Sequence, residues 1–465
     1  MRVVFVYPDF GIGSKGKFYN GIAYISAVLK EHGHAVSLIH LTEAIQEGEL
    51  THLVLKSSPD LVALSSTTNM FPHVERYARA IKKGLDTPII CGGVHATLDP
   101  QSVLECEAID MACVGEGEEA MAELCERLEK GQEINDVRNI WLRMDGGIAR
   151  NPLRPLVENL DSLPFPDRDI FDYERLEDAR LGRVAFMASR GCPYNCSFCS
   201  NHELKKIYPG RYVRFRSVEN VIAEAKKVIK EYSPRYAVFH DDILTLNKKW
   251  LRTFTAKWAK EVDLPFSCNS RVNLLDEEVV GALKEAGCFE ISMGLESGND
   301  FVRGQVLNRK MSNEEIKNAF ALCRQYGIKT VSYNMVGLPF ESMTKMLDTV
   351  KLNAMVKSDN LQVSIFYPFP RTRLYDVCKE KGFLTDRRIN SYFEDTVLEQ
   401  PTLDKNQVRF AFQYFDVLVK IYSICYSLPR FLVKICEKVL DGIFSSRSLA
   451  TIIIGYVPRK SRSSG

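Results

Sequence analysis

Three cysteines lie close together near the middle of the chain, at Cys192, Cys196 and Cys199. Their spacing, C-x3-C-x2-C, lets three thiolates converge on one metal centre, because a short loop costs little closure entropy. A structural zinc site normally has four protein ligands, and an ordinary four-iron cluster has four cysteines. Three thiolates therefore indicate a cluster with one open iron, which would bind a substrate or cofactor. The alternatives are a zinc site completed by His202, or thiols that merely lie close together.

The surrounding sequence, Arg190-Gly191-Cys192-Pro193-Tyr194-Asn195-Cys196-Ser197-Phe198-Cys199-Ser200, resembles the signature of the radical S-adenosylmethionine (SAM) enzymes. The resemblance implies a 4Fe–4S cluster on the three cysteines, with SAM chelating the open iron through its amino and carboxylate groups. It also implies that an electron from the reduced cluster cleaves SAM and yields a 5′-deoxyadenosyl radical. By the same resemblance Tyr194 and Phe198 lie against SAM.

Length and composition limit the remaining possibilities. The 465 residues are too many for one ordinary core and predict two to four domains. A net charge of +2 gives no electrostatic reason to expect nucleic acid as a partner. Thirteen cysteines, an odd number, are scattered through the chain without a signal peptide, so we expect cytosolic thiols and a cytoplasmic protein. We expect no transmembrane helix, because every long apolar stretch contains charges.

Residues 1–135 alternate apolar runs with amphipathic stretches, which predicts a Rossmann-like domain with a parallel, doubly wound sheet. Ligands bind such sheets at the carboxyl ends of the strands. The stretch Gly11–Gly16 matches G-x-G-x-x-G, but it does not open a helix directly after a strand, so we discount a nicotinamide site. The predicted strands are Val3–Tyr7, Ala35–His40, Leu61–Ser66, Pro88–Gly92 and Met111–Val114.

Three of these strand ends resemble the loops of the cobalamin-binding domain found at the N-terminus of one large radical SAM branch. Glycines would let the backbone approach the macrocycle and its nucleotide tail closely, and hydroxyls would satisfy the polar atoms of the tail. The chain departs from the methionine-synthase type at Asp9–Gly13, where the histidine that ligates cobalt is absent. We therefore expect cobalamin without a histidine lower ligand. The residues implied are Ser65, Ser66, Thr67, Gly92, Gly93, His95, Gly115 and Glu116.

Two alternatives remain for this domain. It could keep the fold and bind no cobalamin, and His95 could be an ordinary hydrogen-bonded histidine at a strand end. Residues 136–180 follow as a connector, with a hairpin signal at Asp145-Gly146 and repeated prolines that stiffen the chain.

Residues 181–385 alternate strands and helices about six times, which predicts a partial (β/α)6 barrel of the TIM type. Barrel active sites lie at the carboxyl ends of the strands, and the cysteine loop follows the first strand. The predicted strands are Val184–Ser189, Tyr236–His240, Pro265–Ser270, Phe289–Leu295, Thr330–Val336 and Gln362–Tyr367.

Polar or glycine-containing stretches at the other barrel strand ends resemble the SAM-contacting elements of the radical SAM family. The resemblance implies that carboxylates contact the SAM amino group and ribose, that a guanidinium contacts its carboxylate, and that exposed backbone contacts its adenine. Taken singly, the aspartates could belong to a helix N-cap region and Glu296 could be a buried ion-pair partner. The residues implied are Asp241, Asp242, Arg271, Glu296, Ser297, Gly337 and Leu338.

Residues 386–465 read as amphipathic helices rich in large apolar side chains, followed by a basic tail around Arg459–Arg462. One interpretation is a helical cap that packs its apolar stripe on the barrel. The other is a lid over a bulky apolar substrate, or a surface that makes peripheral contact with a membrane.

Together these features resemble a cobalamin-dependent, class B radical SAM methyltransferase. The resemblance implies methylation of an unactivated carbon of a small-molecule or lipid-like substrate, with electrons from a flavodoxin- or ferredoxin-type donor. The alternative is radical oxidation, cyclisation or rearrangement without methyl transfer. A further alternative, from a different class, is a cobalamin or metal sensor with a structural zinc loop.

Overall fold

Two sheets organise the chain, each in its own structural unit. The computed structural model describes residues 1–10, 16–208, 210–387, 389 and 391–456. The first unit comprises Met1–Ala185 and Glu203–Asn220, and the second comprises Phe186–His202 and Val221–Gly465. The glycine-rich stretch at 11–15 and the basic tail at 459–462 lie outside the described residues.

The first unit contains a seven-stranded sheet in the order β2-β1-β3-β4-β5-β6-β7. β1 to β5 pair in parallel, while the hairpin β6–β7 adds two antiparallel strands at the edge. Val3 to Val6 are apolar and buried throughout, as a strand covered on both faces requires. The strands are β1 (Arg2–Pro8), β2 (Ala35–Leu41), β3 (Leu61–Ser65), β4 (Ile89–Gly92), β5 (Met111–Cys113), β6 (Ile140–Met144) and β7 (Gly147–Arg150).

Helices connect the parallel strands of this unit. One core cluster joins apolar side chains of the sheet, such as Val62 and Leu64, to those of the helices, such as Val74 and Tyr77. The sheet and its helices form the doubly wound architecture expected of a Rossmann-like domain. The helices are α1 (Asn20–Glu31), α2 (Glu47–Ser57), α3 (Phe71–Gly84), α4 (Val94–Leu98), α5 (Pro100–Glu105), α6 (Glu118–Glu129) and α7 (Glu177–Leu181).

The second sheet has six strands in the order β15-β14-β13-β12-β11-β8. Its strands from β11 to β15 pair in parallel with their neighbours, so their carboxyl ends lie along one edge. The strands are β8 (Arg183–Phe186), β11 (Tyr236–Phe239), β12 (Phe266–Ser270), β13 (Cys288–Glu296), β14 (Lys329–Val336) and β15 (Asn360–Ile365). Two strands of two residues each, β9 (Ser189–Arg190) and β10 (Arg214–Phe215), lie outside this sheet.

Helices alternate with these strands and form a partial barrel. Many begin at a polar residue whose side chain accepts a hydrogen bond from the first helical turn, as Asp276, Ser312 and Asp404 do. The helices are α8 (Asn201–Ile207), α9 (Val218–Tyr232), α10 (Lys248–Glu261), α11 (Glu277–Glu285), α12 (Asn313–Gln325), α13 (Met343–Val356), α14 (Arg373–Glu380), α15 (Lys405–Tyr426), α16 (Arg430–Phe444) and α17 (Arg447–Tyr456).

The C-terminal helices differ strongly in burial. α15 places Phe415 and Tyr422 in a core with residues of α13, β14 and β15, so it acts as a cap on the barrel. α16 has no buried residue. Within the described residues, every helix is too short or too polar to cross a bilayer. The predicted fold class is confirmed: a Rossmann-like N-terminal domain, a partial (β/α)6 barrel and a helical C-terminal region. The first barrel strand ends at Phe186, earlier than predicted.

Close approach of β13 and α13 depends on Gly298. A methyl group at this position would lie 2.5 Å from the carbonyl carbon of Asp348, 2.8 Å from Cα of Thr349, and closer still to the Asp348 oxygen. These are backbone atoms and cannot rotate away. We expect Gly298→Ala to destabilise the second unit by about 2 kcal/mol, measured as a lower midpoint of thermal unfolding.

The matched control is Gly442→Ala in α16, where an added methyl meets nothing within 4 Å. Alanine favours a helix over glycine by about 1 kcal/mol, so this variant should be as stable as wild type or slightly more stable. Equal melting midpoints for Gly298→Ala and wild type would contradict the close packing of β13 on α13.

Candidate active site

The cysteine loop, residues 190–200, is held by the rest of the second unit at Ser197. The Ser197 amide donates to the Leu307 carbonyl at 3.1 Å, and its hydroxyl donates to the Val306 carbonyl at 2.5 Å. The Ser197 carbonyl accepts from the Leu374 amide at 2.9 Å. Since residues 191–200 contain no regular helix or strand, these bonds position the thiols.

The three thiols of the loop are partly or fully buried. Cys196 is buried, while Cys192 and Cys199 are half-buried. Burial raises the pKa of the Cys192 thiol, and it raises the pKa of Cys199 to about 11. Within the described residues, no three His, Cys, Asp or Glu side chains converge as a single metal ion would require. A 4Fe–4S cluster puts each cysteine on a different iron, so its ligands need not meet at one point.

His202 is not available as a zinc ligand. Its Nδ1 bonds the Cys199 carbonyl at 2.5 Å, and its Nε2 accepts from the Arg373 amide at 3.4 Å. Both ring nitrogens are therefore used within the protein, whereas a zinc ligand needs one free nitrogen lone pair. The geometry disfavours the zinc alternative.

Arg271, at the end of β12, contacts two residues of the cysteine loop. Its guanidinium lies over the Tyr194 ring, 4.0 Å from the centroid, and its Nη1 lies 3.7 Å from the Cys196 sulfur. Its Nε donates to Asn273 at 2.8 Å. The side chain is buried, so its positive charge acts on the thiol with little screening by water.

Arg309 also contacts the loop, and it was missed in the sequence. Its Nη1 lies 3.8 Å from the Cys196 sulfur and 3.7 Å from the Glu296 carboxylate. Its Nε is buried without a partner in the protein. Arg309 follows a π-helical segment, Val302–Val306, and not a strand, so the rule that sites lie at strand ends could not find it. The residues before it, Val306-Leu307-Asn308, form no motif that could have indicated its role.

Glu296 and Ser297 lie where β13 ends. Glu296 adopts a left-handed conformation with φ 64°, and burial raises the pKa of its carboxyl. Ser297 is fully buried, and its carbonyl accepts from Arg303 at 2.8 Å. The strained backbone turns the Glu296 carboxylate towards Arg309 and hence towards the cysteine loop.

The two neighbouring aspartates have different surroundings. Asp241 is buried, and its carboxylate accepts from the Ala188 amide at 3.1 Å and from the Ser189 hydroxyl. It therefore fixes the chain just before the cysteine loop. Asp242 is exposed and accepts from Asn201 at 3.1 Å, and the same Asn201 amide lies 3.7 Å from the Cys199 sulfur. Of the two, Asp242 is the carboxylate that remains accessible beside the thiols.

Gly337 and Leu338, at the end of β14, are farther along the same edge. The Leu338 amide donates to Glu341 at 3.0 Å, and its carbonyl accepts from Gln400 at 2.8 Å. The Leu338 side chain belongs to an apolar cluster against which Phe198 also packs. The backbone amide and carbonyl of Leu338 are thus both already hydrogen-bonded. The predicted site residues of the second unit all lie along one edge of the sheet.

The predicted cobalamin residues lie at the strand ends of the first unit. Ser66 and Thr67 satisfy their hydroxyls locally, since Ser66 donates to the Thr67 carbonyl at 2.8 Å and Thr67 to Asn69 at 2.9 Å. The Thr68 hydroxyl and Nδ1 of His95 are buried without a partner in the protein. His95 bonds Ser102 at 3.1 Å through Nε2, and burial lowers its pKa to about 4, so it is neutral.

Glycines at two of these strand ends permit close backbone contacts. Gly93 has φ 93°, and an added methyl would lie 2.7 Å from the Ser66 carbonyl. At Gly115, with φ 92°, a methyl would collide with the Tyr208 hydroxyl, which accepts from the Glu116 amide at 3.0 Å. Gly92 has open space apart from Cys113.

Glu116 differs from its neighbours because its carboxylate is already used. It pairs with Arg214 at 2.8 Å and accepts from the Val157 amide at 2.9 Å. Tyr208 and Arg214 are far from Glu116 in sequence, so no local pattern could have predicted these contacts.

Comparison with known protein families identifies both sites. A model of the radical SAM superfamily matches residues 187–352, and a model of the B12 binding domain matches residues 19–125. This chain belongs to the cobalamin-binding radical SAM enzymes. The two models together match more than half of the chain, and each covers one of the two sets of strand ends described above.

Full-length relatives agree with this assignment. An uncharacterized methyltransferase of Pyrococcus horikoshii is 28% identical over 89% of this chain and 89% of its own. An anaerobic magnesium-protoporphyrin IX monomethyl ester cyclase of Rubrivivax gelatinosus is 26% identical over 88% of this chain and 75% of its own. The structure of TsrM, a radical SAM methyltransferase of Kitasatospora setae with cobalamin and a 4Fe–4S cluster bound, has a TM-score of 0.68 at 16% identity, covering 82% and 75% of the two chains.

The cofactors are therefore a 4Fe–4S cluster, SAM and cobalamin, and the residues fit them. Three thiols without a fourth protein ligand leave one iron for SAM, and two buried guanidinium groups suit an anionic cluster. In the first unit, the Thr68 hydroxyl and Nδ1 of His95 are buried without a partner in the protein, so they can bond polar groups of a ligand. Gly92 has open space beside these strand ends, which suits a large ligand.

A buried carboxyl at this edge of the barrel makes stability depend on pH. Burial raises the pKa of Glu341 to about 8, although amides donate to it. The folded protein then keeps a proton that the unfolded chain releases above its ordinary pKa of about 4.3. Stability is therefore greatest below that value and falls as pH rises towards 8.

Glu341→Gln resembles the protonated carboxyl and cannot ionise. We expect the melting midpoint of wild type to fall more steeply than that of Glu341→Gln between about pH 5 and pH 8. Thermal unfolding followed by circular dichroism at several pH values measures the difference. Parallel curves for the two proteins would show that Glu341 is ionised throughout this range.

Proposed function

We propose that this enzyme methylates an unactivated carbon of a small-molecule or lipid-like substrate. The observation that supports the proposal most directly is the pairing of a three-thiol loop without a fourth ligand with a B12-binding domain in one chain. Reductive cleavage of SAM at the cluster supplies the 5′-deoxyadenosyl radical that abstracts hydrogen, and cobalamin carries the methyl group. The names of the Pyrococcus relative and of TsrM favour methyl transfer.

The side chains of the second unit have distinct proposed roles. Cys192, Cys196 and Cys199 hold the cluster. Asp242 would accept from the SAM amino group; it is exposed and linked through Asn201 to Cys199, which supports this role. Arg271 would bind the SAM carboxylate, and its stacking on Tyr194 fixes the plane of the guanidinium.

Other residues act at the ribose and adenine ends of SAM. Glu296 and Ser297 would bind the ribose or methionine portion, with Arg309 holding the Glu296 carboxylate in place. Gly337, Leu338 and Phe198 would line the adenine. Asp241 acts as a positioning residue, because both of its oxygens hold the chain before the cysteine loop.

The first unit would hold cobalamin through the strand ends after β3, β4 and β5. Ser65, Ser66 and Thr67 would form one wall, and Gly92, Gly93 and Gly115 would admit the macrocycle or its tail closely. His95 would donate or accept through its unpartnered Nδ1. Glu116 would act indirectly, since Arg214 neutralises it.

A second candidate function is radical chemistry without methyl transfer. The magnesium-protoporphyrin relative is named a cyclase and matches nearly as much of this chain as the Pyrococcus protein does. Cyclisation, oxidation or rearrangement would use the same three cysteines.

We also infer a reducing compartment and an external electron source. All thirteen cysteines are unpaired, which is typical of cytoplasmic proteins. Electrons for the cleavage of SAM would come from a flavodoxin- or ferredoxin-type donor.

Product analysis separates these functions. Protein reconstituted without oxygen would be incubated with SAM, cobalamin and a strong reductant. We expect 5′-deoxyadenosine and S-adenosylhomocysteine from wild type, and neither iron nor 5′-deoxyadenosine with the Cys192/Cys196/Cys199→Ala variant. The matched control is Cys436→Ala, which removes a half-buried thiol outside the loop. This variant should keep the iron and form both products.

Each outcome of this assay supports one candidate function and contradicts the others. Cobalamin retention with 5′-deoxyadenosine but without S-adenosylhomocysteine would favour the second candidate function. Protein that binds zinc, no iron and no SAM would overturn both and support a sensor.

Cobalamin binding can be tested at the unpartnered Thr68 hydroxyl. Thr68→Val keeps the shape of the side chain and removes an unsatisfied buried group, so the cobalamin-free protein should be as stable as wild type or more stable. If cobalamin uses this hydroxyl, its affinity should fall about tenfold, measured by equilibrium dialysis with absorbance.

Thr51→Val on α2 is the comparison, because its hydroxyl already donates to the Glu47 carbonyl at 2.9 Å and it is not one of the proposed cobalamin residues. We expect this variant to keep the cobalamin affinity of wild type. Unchanged cobalamin affinity in Thr68→Val would place the ligand elsewhere.

A further inference from the structure

The outer side of α16 carries a continuous row of exposed apolar side chains. Phe431, Ile435, Val439 and Ile443 have 73%, 62%, 55% and 47% of their surfaces exposed. Residues four apart form one ridge along a helix, and Leu432 widens it. We call these five residues the α16 apolar face. Large apolar side chains are normally exposed singly, so a row of this length points to an interaction surface.

The acidic residues of α16 point inward, on the same side as part of its apolar surface. Glu437 and Asp441 are the only acids in this helix, and both pair with Lys351 of α13, at 3.5 Å and 3.1 Å. Asp441 also accepts from the Tyr422 hydroxyl at 2.6 Å. An ordinary surface helix packs apolar residues inward and leaves charged residues outside. Here Leu440 and Phe444 do pack inward beside the ion pairs. The outer side is apolar as well, because the row from Phe431 to Ile443 is exposed.

The charges that remain exposed on α16 are all positive. Arg430, Lys434 and Lys438 are exposed and make no ion pair in the described part of the chain. Lys434 and Lys438 lie three residues after Phe431 and Ile435, so they flank the apolar ridge. Lysine side chains in such positions extend past apolar surface and place the ammonium group at its edge.

Residues 457–465 are too polar and too basic to cover this surface. Residues 457–465 contain one large apolar side chain, Val457, and the three basic residues Arg459, Lys460 and Arg462. A second copy of the chain is also disfavoured as the occupant. A symmetric dimer through this face would bring the basic residues of one helix close to those of the other.

We propose that the α16 apolar face docks onto an anionic lipid surface, with its apolar side chains entering the interface and its basic residues contacting lipid phosphates. A helix that combines apolar side chains with basic residues is the usual form of an interfacial anchor. Because Lys351 of α13 pairs with both acids on the inner side of α16, the helix is already folded before it binds lipid. The proposal does not depend on the reaction of the active site.

Vesicle sedimentation with the full chain tests this proposal. Wild type should bind vesicles of mixed phosphatidylglycerol and phosphatidylcholine, bind pure phosphatidylcholine weakly, and detach as salt is raised. Phe431→Gln/Ile435→Gln should lower the partition coefficient at least tenfold. Lys434→Gln and Lys438→Gln should each lower it about fivefold, and the remaining binding should depend less on salt.

Leu55→Gln and Lys56→Gln on α2 are the matched controls, because both side chains are exposed on a helix of the first unit. They should bind as wild type does. Circular dichroism and thermal unfolding should be unchanged in all variants, since the substituted side chains are exposed.

Three results would overturn the proposal. The first is wild type that stays in the supernatant with anionic vesicles. The second is equal binding by wild type and Phe431→Gln/Ile435→Gln. The third is a dimer in sedimentation velocity that dissociates in Phe431→Gln/Ile435→Gln, since the face would then belong to a second copy of the chain.

Discussion

The cysteine loop has no regular secondary structure, so its shape depends on hydrogen bonds to the surrounding barrel. Ser197 makes three of these bonds, to Val306, Leu307 and Leu374. Asp241 fixes Ala188 and Ser189, which lie just before the loop where the chain leaves β8. A cluster ligand must be positioned before the metal arrives, because an unstructured loop would have to lose conformational entropy on binding. Both anchors are buried, which strengthens each bond by excluding water.

Charge is the second constraint on this edge of the barrel. Arg271 and Arg309 both place a guanidinium near Cys196, and Glu296 lies beside Arg309. Two buried cations without nearby anions would be costly. A cluster with thiolate ligands is negatively charged, so it would offset this cost and would itself be easier to reduce near two positive groups. The arginines therefore favour the same cofactor that the cysteine spacing indicates.

Much of this arrangement could be predicted from sequence, because one rule holds for every parallel strand of the barrel. Parallel strands end at one edge, so Asp242, Arg271 and Glu296 could be assigned to the neighbourhood of the cysteine loop from their positions after apolar runs. The rule says nothing about what a side chain does there. Asp241 and Asp242 are adjacent in sequence, yet one is buried under Ala188 and the other is exposed.

Contacts between distant parts of the chain were not predictable in the same way. Arg309 reaches Cys196 across 113 residues, and Arg214 reaches Glu116 across 98. Arg309 lies outside the strands and Arg214 lies in the two-residue strand β10, and neither belongs to a local motif. The exposure of α16 could not be predicted from the sequence either, because the same spacing of apolar residues would fit a stripe buried against the barrel equally well. Tertiary contacts show which side faces inward. Glu437 and Asp441 pair with Lys351, and Leu440 and Phe444 pack against the core.

Four of the buried polar atoms without a hydrogen-bond partner lie where the proposed ligands would bind. Thr68 and His95 have such atoms in the first unit, and Arg309 and Glu341 have them in the second. Each unsatisfied group costs free energy in the protein alone, typically about 1–3 kcal/mol. A fold built only for stability would pair them or replace them with apolar side chains. All four lie at or just beyond the edges where parallel strands end. A ligand bound at these edges could therefore supply the hydrogen bonds that these atoms lack in the protein alone.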